Sequence, residues 1–100
     1  MNVAITKFTD TSVTMTWQSP KEKDLNGVLV SYKVEIYKEL INGHLGMIAN
    51  HTVKHSVQQW SFSGLQKNTE YIMYVKAGTR MGFGPPTVVH QETSGDGRWI

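Results

Sequence analysis

A chain of 100 residues with 39% hydrophobic and 18% charged side chains holds enough apolar material for one buried core, and its lack of cysteine excludes disulfide staples and thiolate chemistry. Ten basic residues against eight acidic ones give a net charge of +2, scattered along the chain, which excludes the basic stripe that grips nucleic acid. No apolar run approaches about 18 residues, so no membrane contact by this domain is expected.

Val3, Ile5 and Phe8 suggest a short first strand ending in the turn-forming Thr9, Asp10 and Thr11. From Ser12 to Gln18, Val13, Met15 and Trp17 alternate with hydroxyl residues, the pattern of a strand with one wet face. Ser19 and Pro20 break it, and a charged loop over 21–26 closes at Asn26-Gly27. The longest strand signal runs from Val28 to Leu40, with Val30, Tyr32, Val34 and Ile36 on one face and Ser31, Lys33, Glu35 and Tyr37 on the other. Asn42-Gly43-His44 marks a hairpin, followed by a short returning strand over Leu45 to Ala49. The polar triplet Asn50-His51-Thr52 reads as an interruption, after which His55 to Ser63 resumes with Gln58, Trp60 and Phe62 on one parity.

The stretch from Trp60 to Ala77 reads as strand, corner, strand. Gly64-Leu65 stops the first alternation, 66–69 is a polar bend, and Tyr71, Met73, Val75 and Ala77 alternate again. Tyr71, just after the bend, is placed to lie across the corner and give its hydroxyl to an upstream backbone carbonyl, the tyrosine corner of β-sandwiches. Gly78 to Pro86 is a loop with three glycines and two prolines, Thr87 to Thr93 a last strand, and Ser94 to Arg98 a flexible exit. Seven short strands with no helical period predict an all-β, antiparallel, immunoglobulin-like sandwich.

Trp17, Gly27 with Tyr32 and Val34, Gly64-Leu65 with Thr69-Glu70-Tyr71, Val75-Lys76-Ala77 and Gly82-Phe83-Gly84 form an ordered set along the chain. Together they resemble the fibronectin type III pattern. The resemblance implies sheets of three and four strands and the core markers Trp17, Tyr32, Leu65 and Tyr71. A domain over 1–94 and a flexible C-terminal linker over 95–100 are expected, with Arg98, Trp99 and Ile100 either in that linker or at the start of a neighbouring domain's packing. The sequence departs from the pattern where the bend that commonly carries proline reads Gln66-Lys67-Asn68, and it has neither an Arg-Gly-Asp triplet nor a Trp-Ser-x-Trp-Ser box. The first residues lack a signal-peptide layout, so the expectation is a module of a longer protein.

No nucleophile elbow surrounds a serine and no glycine-rich loop opens a helix, so neither an enzyme nor a cofactor site is expected. His51 and His55 are four apart, a spacing that converges on a helix and not on a strand, so no metal site is expected either. Two other features carry functional content. Asn50-His51-Thr52 is an N-glycosylation sequon, expected at a strand end. If Tyr71, Met73 and Val75 point inward, Ile72, Tyr74 and Lys76 point outward, and with Tyr37 they make an outer face more apolar than solvent requires. The alternative for that face is cross-strand packing that only stabilises the sheet. The resemblance implies a non-catalytic interaction or spacer module, monomeric in isolation. Its partner would be another protein or neighbouring domains of the same chain, in the extracellular part of a single-pass membrane protein or a secreted one. Receptor-type tyrosine phosphatases and neural adhesion molecules are typical hosts. The alternatives are an intracellular structural module of the muscle giant-protein kind, and a heparin or carbohydrate site built from Lys21, Lys23, Lys33 and Lys76.

Overall fold

Alternating apolar residues give the central strands one buried face, and two such faces close on each other as a sandwich. The computed structural model describes residues 1–21 and 27–95. In chain order the strands are β1 (Val3–Phe8), β2 (Val13–Trp17), β3 (Ser31–Glu39), β4 (Leu45–Lys54), β5 (Gln59–Phe62), β6 (Glu70–Thr79), β7 (Gly82–Phe83) and β8 (Thr87–Glu92). One sheet has the order β1-β2-β5; the other runs β4-β3-β6, with both β7 and β8 paired to β6. All pairings are antiparallel. The expected three-plus-four arrangement becomes three plus five because the glycine loop contributes the two-residue β7.

The core is the sum of the inward parities: Val13, Met15 and Trp17 from β2, Tyr32, Val34 and Ile36 from β3, and Tyr71, Met73 and Val75 from β6, with Val53, Phe62 and Leu65 around them. Each such side chain contributes about 1.5–3 kcal/mol by leaving water. Trp17 stands edge-on to Tyr32 with ring centroids 5.4 Å apart, joining the two sheets.

The corner between β5 and β6 forms without proline. Here the Tyr71 hydroxyl accepts from the Gln66 backbone N–H at 2.9 Å, whereas the sequence reading had it donating to a carbonyl. The buried Thr93 hydroxyl takes the carbonyl role, donating to Gln66 O at 2.6 Å and accepting from Thr69 N–H at 3.0 Å. Two side chains therefore hold both backbone groups of Gln66.

Several strand boundaries differ from the sequence reading, among them the strand expected from His55, which begins at Gln59. The long strand starts at Ser31; Val30 lies outside it and is exposed, with its N–H bonded to Gly78 O at 2.8 Å outside the regular ladder. Asn50-His51-Thr52 does not interrupt a strand but sits inside ten-residue β4, paired with Glu35, Val34 and Lys33. An edge strand contributes little to the core, so polar residues on both of its faces cost little. The register of β3 and β4 shifts between Ile36 and Tyr37: Ile36 faces Ala49 and Tyr37 faces Met47, leaving Ile48 as a bulge. The expectations for the loop at 22–26 and for Asp96 to Ile100, including Arg98, Trp99 and most of the expected linker, concern residues outside the described ones.

Candidate functional site

The outward parities of β3 and β6 meet in register. Lys33 faces Lys76, Glu35 faces Tyr74, and Tyr37 faces Ile72. The candidate face of Tyr37, Ile72, Tyr74 and Lys76 is thus one contiguous patch on the two central strands of the five-stranded sheet. Tyr37 and Tyr74, diagonal neighbours, tilt against each other with centroids 4.8 Å apart. On the flanks, β8 adds Val88 beside Tyr74 and His90 beside Ile72, and β4 adds Asn50 beside Glu35 and Met47 beside Tyr37.

The centre of this patch is a residue that the sequence reading placed on the face without giving it a role. Glu35 is 2% exposed although it lies on the solvent side of the sheet. Its carboxylate is covered by its neighbours: Lys76 Nζ lies 3.1 Å away, Lys33 Nζ 3.7 Å away, and the Tyr37 hydroxyl donates to it at 3.0 Å. Burial opposes the charged form of Glu35, but Lys76, Tyr37 and Lys33 together outweigh that and hold its carboxyl below the ordinary Glu range. Burial first, and then the bond to Glu35, push the Tyr37 phenol above its ordinary value. Lys33 also reaches over the Phe83 ring, 5.7 Å from its centroid, so the glycine loop is tied to the face. A glutamate with Lys33 and Tyr37 two residues to either side on the same face was the available signal; that Lys76 joins them depends on the register of β6.

Of the four lysines of the alternative heparin site, Lys33 and Lys76 stand opposite each other on the outer face. Lys33 and Lys76 both turn their charge onto Glu35, and Lys23 lies outside the described residues. At the pole where the chain enters, an open hollow of about 460 Å³ is lined by Met1, Pro20, Met81, Phe83 and Pro85 among others, and none of its lining side chains is ionisable. It offers apolar contact and no chemistry. Of the histidines, His51 points to the opposite side of β4 from Asn50 and stacks on Trp60 at 4.3 Å, bridging the two sheets at their open edge. Asn50 itself is exposed.

Comparison with known proteins places this geometry. The family model for the fibronectin type III domain matches residues 1–93. The chain belongs to the fibronectin type III family. This fibronectin type III domain is 36% identical over 84 residues to the tyrosine-protein phosphatase Lar of Drosophila melanogaster, a match covering 84% of this chain and 4% of that protein. It is 34% identical over 83 residues to the cell adhesion molecule DSCAM of Mus musculus, covering 83% and 4%. Human protein sidekick-1 is 31% identical over 85 residues, covering 83% and 4%. The domain therefore spans about 4% of the length of these curated relatives. Among solved structures, the third fibronectin III domain of human KIAA0343 protein superposes with a TM-score of 0.77 at 19% identity, covering 97% of this chain and 82% of that one. The FN5 domain of Drosophila Lar superposes at 0.71 with 26% identity, covering 94% and 92%.

Proposed function

We propose that this fibronectin type III domain is a non-catalytic protein-interaction module in the extracellular part of a cell-surface receptor or adhesion protein, and that it meets its partner through the outer face of the five-stranded sheet. The observation that carries the reading is the construction of that face. A carboxylate is buried on the solvent side under Tyr37, Tyr74, Lys33 and Lys76, which fixes two aromatic rings and two lysine stems in place before any partner arrives. Rigid amphipathic side chains of this kind lose little entropy on binding and are favoured at recognition surfaces. The names of the relatives, a tyrosine-protein phosphatase, putative receptor-type tyrosine-protein phosphatases and a cell adhesion molecule, support a receptor or adhesion host. In a phosphatase host, catalysis would belong to another domain.

The test is binding of a tetramerised domain to a panel of cell-surface ectodomains and to heparin, beside a Tyr74→Ala, Lys76→Ala variant shown to be folded; multimerisation makes weak contacts visible. A protein hit abolished by the double change supports the proposal. Silence across the panel for a folded domain, or a hit indifferent to the double change, overturns it in favour of a spacer or a structural module. Retention on heparin that survives physiological salt would favour the carbohydrate reading.

A further inference from the structure

The sequon and the recognition face were separate features in the sequence; the register of the sheet puts them together. Asn50 lies opposite Glu35, which lies opposite Tyr74, so these residues form one row across the outer face. Thr52, the sequon hydroxyl, heads the next row, opposite Lys33 and then Lys76. With neighbouring strands about 4.8 Å apart, Asn50 stands about 5 Å from Glu35 and about 10 Å from Tyr74. Among the described residues the Asn50 side-chain amide makes one hydrogen bond, a donation to Met47 Sδ at 3.3 Å, and a thioether is a weak acceptor. Strand alternation turns His51 to the other side, where it stacks on Trp60, and so fixes which way Asn50 faces.

We propose that Asn50 is an N-glycan acceptor whose sugar lies over the outer face, so that glycosylation and recognition through that face exclude each other. The proposal rests on the extracellular reading above, since only a chain passing through the secretory pathway meets the donor. Transfer from a lipid diphosphate-linked oligosaccharide forms a bond from sugar C1 to Asn50 Nδ2. It breaks the C1–O bond to the diphosphate, releases the lipid diphosphate, and takes one proton from the amide. Because β4 is paired along β3, transfer takes place on the extended chain before the sheet closes. In the folded domain the first sugars then rest on the apolar ground beside Asn50: Met47 and Ile48, about half exposed, and the Tyr37 and Tyr74 rings.

The experiment compares the chain secreted from mammalian cells behind an added signal peptide with the same chain from bacteria. Intact-mass and peptide mapping should find a glycan on Asn50, absent from Asn50→Gln and from Thr52→Ala. An antibody fragment selected on the bacterial chain, and chosen because it loses binding to Tyr74→Ala, then reports whether the face is open. It should bind the glycosylated chain about 100-fold or more weakly, and bind Asn50→Gln from the same mammalian cells as well as the bacterial protein. A folded, secreted chain with bare Asn50 would overturn the proposal, and so would a glycosylated chain bound with undiminished affinity. The fragment needs no natural partner, so a silent ectodomain panel would sink the interaction reading while leaving this result standing.

Discussion

Replacing Glu35 with glutamine tests the centre of the outer face. Glutamine keeps the shape and an acceptor for Tyr37 and Lys76 but removes the charge that both lysines share. A hydrogen bond to a charged group contributes about 1.5–3 kcal/mol net, and the carboxylate has two such contacts at 3.1 and 3.0 Å and a longer ion pair at 3.7 Å. Against this stands the cost of holding a 2%-exposed carboxylate away from water, which glutamine avoids in part. The lysines left behind are 24% and 31% exposed, so they rehydrate and are not stranded as buried charges. The balance is a loss of about 1–2 kcal/mol at pH 7, or roughly 5–15 °C in Tm for a domain of this size.

The loss has a pH signature. Glu35 titrates below its ordinary value of 4.5, so its contribution is complete above that pH and disappears as pH falls through the folded-state value. Thermal unfolding of wild type and Glu35→Gln from pH 7 to pH 3 should show two melting curves that converge in acid. Equal Tm at pH 7, or a gap that stays constant down to pH 3, would refute the assignment of a charged, lysine-held carboxylate. A cycle with Lys76→Met should return a coupling of about 1 kcal/mol at pH 7.

Two further outcomes follow from the corner and the glycine loop. Tyr71→Phe removes the acceptor of the Gln66 N–H while leaving the ring in the core, and urea unfolding should show a loss of about 1–2 kcal/mol with an unchanged m-value. Gly78→Ala would place a methyl 2.7 Å from the Phe83 ring and 2.9 Å from Ser31 Oγ, and should lower stability by about 1–3 kcal/mol; Phe83→Ala in the same chain should recover part of that loss in the same unfolding assay.

How far the residues announce the architecture depends on how many constraints act on each stretch. In β2, β3 and β6 the period of two is enforced by a buried face, so Val13, Met15 and Trp17, or Tyr71, Met73 and Val75, show their direction in sequence alone. The outward position of Tyr37, Ile72, Tyr74 and Lys76 follows from the same alternation. What alternation leaves out is register. Nothing in the order of residues shows that Lys76 stands beside Lys33, or that Asn50 shares a row with Glu35; those facts depend on where the strands stop sliding past each other. The edge strand is hard to read from sequence for a related reason. Asn50, His51 and Thr52 look like a break because neither face of β4 there is fully buried, and only backbone pairing to β3 keeps them extended. The corner gave up its tyrosine but hid its threonine, since Thr93 reaches Gln66 from 27 residues away.

The bulge at Ile48 has a consequence for the behaviour of many copies together. Among the described residues the far side of ten-residue β4 has no neighbouring strand, so about half of its backbone donors and acceptors, those of alternate residues, face outward unpaired. A straight edge of that length, bearing Leu45, Met47 and Ile48, would be a template for growing fibrils. The extra residue kinks it into shorter runs on either side, neither of which presents a long flat rail to an incoming chain. Deleting Ile48 would straighten the edge, and the aggregation that the native sequence keeps in check would then set the limit on how concentrated the domain could become.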